Sequence, residues 1–486
     1  MTLENTAVRV IDRFPCDGLT GRRKIKTTVR EITADNVKDV LSKALYLHNQ
    51  NAAEITYLWD YYRGKQDVRL KRNFVRENIN NIVVVNRANE IVTFKTAFLL
   101  NLPIQYVSNG NGDNLTASVA TLNDYMRSED KESKDKELVD WMHICGVAER
   151  LTLTDEMAGV EDGAPFYIYT LDPREAFVIY SAGIGQRPMA GVIIQTDEDG
   201  EKVFTVYTKN KCFTVKGETV SEQNHILGNV PLVEYTNNAA RMGAFEPVIS
   251  ILNNINMLES LAVDSVQSFV NGFDVFQNCD IDDGSYGNLS IGGQAVKVKT
   301  VTPGMEAKVY RVSSELNQNG VQQKIDDMTE SYLTICGMPN RNGGSSTSDT
   351  GTAVIFRDGW SEAESRAKDT EKLFARSEQN FLRVVLTICD AKAHIGLELK
   401  DIGINFARKS LNNMQSKFQC LCEGLANDRI DPLDTYNAFG DIFGDKNAAY
   451  RRGMEWAKQQ EEKQEVEIQR DLDRERERIN ARNDTE

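Results

Sequence analysis

The sequence contains no G-x-x-x-x-G-K-[ST] loop: Gly64-Lys65 is followed by Gln66, so the phosphate cradle of an ATP-driven motor is missing. Histidine is scarce. His48, His143, His225 and His394 lie far apart, outside H-E-x-x-H or H-x-E spacing, and read as ordinary structural histidines. The eight cysteines, at 16, 145, 212, 279, 336, 389, 420 and 422, form no C-x-x-C pair and read as reduced, mostly buried thiols. Cys420 and Cys422 stand two apart, on different faces of a helix, and do not form a ligand pair. No metal and no cofactor is expected from these residues.

Proline occupies only ten of 486 positions, and with 41% hydrophobic and 27% charged residues this excludes a collagen-like or largely disordered chain. At roughly 100–200 residues per domain, the length suggests about two to four packed units. Long apolar runs are absent as well. The most apolar stretch, 91–107, is interrupted by Lys95, Asn101, Pro103 and Gln105 and falls short of the ~20 residues a membrane span needs. Residues 1–14 mix Glu4, Arg9, Asp12 and Arg13 with apolar positions and read as free of a targeting segment, which would leave the chain in the cytosol. Positive charge is in deficit: 57 Lys and Arg stand against 72 Asp and Glu, a net −15 with a pI near 5.0. Nucleic-acid affinity comes mainly from cations that displace counterions from phosphates, so an ordinary nucleic-acid-binding footprint is not expected.

What the chain does carry is a series of changes in hydrophobic period. Helical spacing over 33–62 (Val37, Val40, Leu41, Ala44, Leu45, Leu47) predicts a helix with Asp35 as N-cap and Gly64 as its stop. A second helix is expected over 86–99, closed by Asn101-Leu102-Pro103, and a third, charged on one side, over 115–148. Between 151 and 235 the period falls to two, in segments separated by Gly, Asp and Asn turns, and predicts a β-rich subdomain. Residues 245–271 return to helical spacing, with Val248, Leu252, Ile255, Leu258 or Glu259, Ala262, Val266 and Phe269 as one stripe and polar Asn253, Asn256, Ser260 and Asp264 elsewhere. Such a helix is about 40 Å long at about 1.5 Å per residue and must pack laterally on something. Strand-like 273–320 follows, then a shorter helix to about 336, stopped at Gly337-Met338-Pro339. Residues 340–351 have no large apolar side chain and read as a mobile loop; a very long helix resumes at about 352, and 459–486 read as a solvated helix or frayed tail. Two acidic stretches are read as non-catalytic. Asp280-Ile281-Asp282-Asp283-Gly284 lacks the spacing and the closing Glu of a calcium loop, and Asp124, Asp130, Glu132 and Asp135 read as a solvated helix face.

Tyr61-Tyr62-Arg63-Gly64-Lys65-Gln66-Asp67-Val68 resembles the Tyr-Tyr-x-Gly segment near the start of bacteriophage portal proteins. The later segments follow in the same order: 86–96 with Leu102-Pro103-Ile104-Gln105-Tyr106, then 171–180, then Gly228 to Tyr235 with Asn237-Asn238, and directly the helix from Phe245. Over residues 35–440 the chain is similar to the portal family of tailed phages that infect Gram-positive-type hosts. One departure stands out: the family often continues its loop as Ser-Gly-x-Ala-Leu-Lys, whereas here it reads Thr350-Gly351-Thr352-Ala353-Val354-Ile355, without the lysine.

The resemblance implies an α+β portal fold. It would divide into an N-terminal arm (1–33), a wing, helical then β-rich (34–244), a stem helix (245–272), a small α/β clip (273–320) and a second stem helix (321–339). A tunnel loop (340–351), a long wing helix with a return segment (352–410) and a helical crown with a charged tail (411–486) would complete it. It also implies a non-enzymatic virion protein, assembled in the host cytoplasm as a ring of about twelve copies at one capsid vertex. The ring would be the channel for packaging and ejection of double-stranded DNA. Its partners would be terminase, head-tail adaptor proteins, and the major capsid and scaffold proteins, with no membrane. On this layout Asn340, Arg341, Asn342, Ser345, Ser346, Thr347, Ser348 and Asp349 would face DNA, and Lys297, Lys299, Lys308 and Arg311 would form the clip docking surface. Val248, Leu252, Ile255, Val266 and Phe269 would pack between subunits, while the polar residues of the same helix face the tunnel. The alternatives are another virion ring component, such as a head-tail adaptor, or a metal-dependent nucleic-acid enzyme with dispersed carboxylates.

Overall fold

The computed structural model describes residues 21–74, 78–110, 113–154, 163–270, 273–281, 298–302, 304–306, 308–312, 318–340, 359–406, 419, 421–423, 435–436 and 446–483. In chain order, β1 (Lys26–Thr27) precedes helices α1 (Val37–Tyr62) and α2 (Arg87–Leu99), strand β2 (Gln105–Ser108), and helices α3 (Asp113–Ser128) and α4 (Lys131–Cys145). Strands β3 (Val147–Thr154), β4 (Phe166–Leu171), β5 (Ala176–Ser181) and β6 (Pro188–Thr196) follow, then β7 (Lys202–Tyr207), β8 (Lys211–Lys216), β9 (Thr219–Asn224) and β10 (Leu232–Thr236). Helix α5 (Ile249–Val270) leads into β11 (Phe273–Gln277) and β12 (Cys279–Ile281). Strands β13 (Val298–Thr300) and β14 (Lys308–Val312) lead into α6 (Gln318–Cys336). Helix α7 (Trp360–Ala393), strand β15 (Ile402–Asn405) and helix α8 (Lys446–Asn483) complete the described elements. The mixture of helix and strand is the α+β class expected. The described residues divide into two compact units, one drawn from 60–89 and 247–336, the other from 21–59, 90–246 and 337–483.

The larger unit is built on a six-stranded sheet in the order β1-β5-β6-β7-β8-β9, antiparallel except for the parallel β1–β5 pair. Successive strand residues point to opposite faces, and both faces are used. Phe177, Ile179, Ala190, Val192, Val206 and Phe213 form one core with Val37, Val40, Leu41 and Ala44 of α1. Ala176, Val178, Tyr180 and Ile193 form the other with Leu151, Leu153 and Leu232 from the three-stranded sheet β10-β3-β4. A strip that is apolar on both sides must be covered on both sides, which is why α1 and the second sheet sandwich it.

Local signals behave in different ways. The α1 start differs from the expected Asp35 cap: Asn36 Oδ1 accepts from the Thr33 amide at 2.9 Å, and the Thr33 carbonyl takes the Val37 amide. Gly64, at φ +89°, donates to the Tyr61 carbonyl and ends the helix as expected. The single helix expected over 115–148 is two helices. Asp130 sits in the left-handed region (φ 49°) between α3 and α4, and Gly146 (φ +83°) closes α4 with its amide on the Met142 carbonyl. Gly146 is needed twice over, since a Cβ there would lie 2.3 Å from the Arg241 carbonyl oxygen. Helix α7 begins at Trp360 within the described residues, and the tail is helical to Asn483.

In the smaller unit α5 and α6 pack on one another. The connection between them carries two antiparallel pairs, β11 with β14 and β12 with β13, so the helix–strand–strand–helix order is that expected. Helix α6 starts at Gln318, three residues before the expected boundary, and Gly337 follows it at φ +64°.

Candidate functional site

Asn253, Asn256, Ser260, Asp264 and Gln267 recur every three or four residues and therefore line one face of α5. They do not face an open lumen: Asn256, Ser260 and Asp264 are buried, and the face is occupied by residues 66–74 and 78–85 of the same unit. Asp264 Oδ1 accepts from the Asn81 amide at 2.7 Å, Ser260 Oγ from the Val83 amide at 3.0 Å and Asn256 Oδ1 from the Val85 amide at 2.8 Å. An extended chain advances about 6.6 Å over two residues and a helix about 6 Å over four, so amides two apart match side chains four apart. The strap is fixed further where Lys71 Nζ meets Asp264 Oδ2, Asn256 Nδ2 donates to Gln66, and Asn253 joins Tyr61 Oη to Asp67, both at 2.9 Å. The expectation that these polar residues face a tunnel is thus corrected: they satisfy a backbone that has no sheet partner of its own.

The expected packing stripe divides in two. Val248, Leu252 and Ile255 are buried within the chain, whereas Val266 is 51% exposed, together with Met257, Leu261 and Val263. The exposed apolar residues of α5 therefore lie on two sides of the helix, Met257 with Leu261 and Val263 with Val266. The Phe269 side chain lies outside the described residues. Of the clip cations, Lys308 is exposed on β14, and the strand registers place Arg311 opposite Asp274 and Lys299 opposite Asp280. Lys297 lies outside the described residues, as do Arg341, Asn342, Ser345, Ser346, Thr347, Ser348 and Asp349; Asn340 is described, half-buried at the end of the segment after α6.

Within the larger unit, α7 brings Glu378 into a fully buried polar centre. Its carboxylate accepts from Tyr106 Oη and Tyr235 Oη, both at 2.5 Å, and pairs with Lys131 at 2.8 Å and Arg150 at 3.5 Å. Asp135 bridges the same two cations. Burial alone would raise the Glu378 carboxyl, but the Lys131 and Arg150 charges prevail and hold it down at about 2. Asp135, read from sequence as part of a solvated face, is instead an internal counterion; Asp124, Asp130 and Glu132 are exposed as expected.

The histidines take structural places. His48 Nε2 meets the Arg174 carbonyl at 2.8 Å, His225 Nε2 the Thr208 carbonyl at 3.1 Å, and His143 Nδ1 meets Thr96 Oγ1 at 3.1 Å. Cys145, Cys336 and Cys389 are buried and in no disulfide among the described residues, and burial pushes the Cys389 thiol up to about 12. Among the described residues no group of three or more His, Cys, Asp or Glu could hold a metal ion, and no helix is long and apolar enough to cross a membrane. The polar groups described above position backbone and helices.

The family described as Phage portal protein, SPP1 Gp6-like, matches residues 41–436 of the 486, and the chain belongs to that family. It is a bacteriophage portal protein, a component of the virion. No curated protein matches it.

Proposed function

We propose that copies of this chain close into a ring of about twelve at one capsid vertex, and that the ring is the channel through which double-stranded DNA is packaged and later ejected. The family match carries this reading, because it spans α5, the paired strands and α6 without a break. In the ring Met257 and Leu261 on one side of α5, and Val263 and Val266 on the other, would be covered by neighbouring copies, since apolar side chains 36–51% exposed in one chain gain free energy by burial. On this reading the chain would divide into wing, stem, clip and crown, with residues 60–89 grouped with the stem and clip in the smaller unit, and the strands β11–β14 would dock terminase during packaging and adaptor proteins afterwards. The loop 340–351, with hydroxyl and amide side chains and Arg341 as its only cation, would touch phosphates without gripping them. A net charge of −15 per copy suits a conduit, because a strongly basic wall would release counterions and stall the duplex.

Reversal of Lys299, Lys308 and Arg311 to Glu tests the docking role. Rings are expected to form normally while in vitro packaging by terminase is lost; unaltered packaging would contradict that role. Metal-dependent nuclease activity in the purified chain would favour the enzyme alternative.

A further inference from the structure

In a chain with fifteen excess negative charges, the larger unit holds a recess of about 1050 Å³ lined by six cations, Lys24, Arg187, Lys209, Arg241, Arg376 and Arg383, against one carboxylate. That carboxylate, Glu234, is already used: Arg241 grips both of its oxygens and Tyr180 Oη donates to it at 3.0 Å. Arg187, Lys209, Arg376 and Arg383 are exposed and have no carboxylate partner among the described residues. Lys24 lies 4.0 Å over the Tyr180 ring. Burial lowers its pKa, Glu234 opposes that, and the Arg241 and Arg376 charges lower it further, as expected where cations crowd without enough anions.

The complement lies on the same sheet. Strand β6 begins beside the recess, at Pro188 after Arg187, and ends at the turn Asp197-Glu198-Asp199-Gly200-Glu201. Lys216 pairs with Asp197 and reaches Glu201, but Glu198 and Asp199 are exposed with no cation partner among the described residues. Nine extended residues hold the two ends about 30 Å apart, so the turn of one chain cannot enter its own recess. A surface with a cationic socket at one end of a sheet and an acidic tip at the other is head-to-tail complementary, and head-to-tail contacts generate rings when the rotation closes.

We propose that the recess lined by Arg187, Lys209 and Arg376 receives the acidic β6–β7 turn, Glu198 and Asp199, of a second copy of this chain. This rests on the ring reading above and names an ionic subunit contact separate from the exposed apolar residues of α5. A recess of this size takes a few acidic side chains, whereas a duplex presents its phosphates across a groove about 12 Å wide and favours cations on an outward-facing surface.

The full-length chain is titrated by native mass measurement and negative-stain imaging in four forms: unchanged, Arg187→Glu with Arg376→Glu, Glu198→Lys with Asp199→Lys, and all four together. Thermal melting confirms that each is folded. Each double variant is expected to need about tenfold more protein to form rings, and the quadruple variant to recover most of that loss. Unchanged assembly in the double variants, or no recovery in the quadruple one, would overturn the contact while leaving the ring reading intact. Loss of duplex DNA binding with normal assembly in the arginine variant would assign the recess to nucleic acid and overturn the proposal as well. If the unchanged chain forms no ring, the ring reading fails. The contact is then read separately, by fluorescence anisotropy of a labelled peptide of residues 195–203 with and without the arginine reversals. Binding that needs Arg187 and Arg376 and weakens at high salt supports it, and no binding refutes it.

Discussion

Glu378 gathers two phenols, a lysine and an arginine in a site closed to water, and each partner comes from a different element. Replacing it with Leu would leave Lys131 and Arg150 buried with Asp135 alone, and the expected cost is about 3–5 kcal/mol in a denaturant titration. The pH dependence follows from the direction of each shift. The folded Glu378 titrates at about 2 against an ordinary 4.5, so its contribution is complete above pH 4.5 and is lost as the pH falls toward 2. His143 behaves differently. Burial, with a smaller contribution from Lys95, lowers its pKa to about 3, so below pH 6.5 the unfolded chain takes up a proton that the folded chain refuses. Stability should therefore begin to fall at about pH 6.5, before the carboxylates act. In melting curves recorded from pH 7.5 to 4, His143→Gln should flatten the limb between pH 6.5 and 5, and a profile identical to the unchanged chain would contradict this. None of this was legible in sequence: Asp135 sits in a run of charged residues that looks solvated, and its partner Arg150 and the Glu378 that shares its cations lie 15 and 243 positions further along.

At the scale of elements, period and stop signals located α1, α2, α5 and the strands from β4 to β8, because each presents apolar residues to a core at its own spacing. Strand β3 escaped this logic. All eight of its residues are buried, Glu149, Arg150, Thr152 and Thr154 among them, so no alternation of apolar and polar positions marks it. The strap on α5 escaped for another reason: the polar stripe was visible, but it is explained by amides at 81, 83 and 85, which no local pattern connects to it. Asp264 is the strongest point of that ladder, accepting from Asn81 twice and from Lys71. Asp264→Ala should leave α5 helical while the amides of Asn81, Val83 and Val85 exchange with solvent about tenfold faster or more. Unchanged exchange at those amides would show that the ladder does not hold the strap.

For the whole molecule, the order of elements was the most legible feature, since the long helix, the paired short strands, the return helix and the second long helix occur as the family resemblance implies. What a single sequence could not give is which face of α5 is spent inside the chain and which is left over. The structure divides them: Asn256 and Ser260 turn to the strap, and Met257 and Leu261, one position further on each turn, remain exposed. The central claim is that this leftover surface closes a ring. The most direct test is native mass measurement of the purified 54.7 kDa chain, paired with negative-stain images of the same sample. A hollow annular particle near twelve times the chain mass is expected, lost on Met257→Asp with Leu261→Asp while the subunit stays folded. A compact dimer, or a closed oligomer without a central channel, would contradict it.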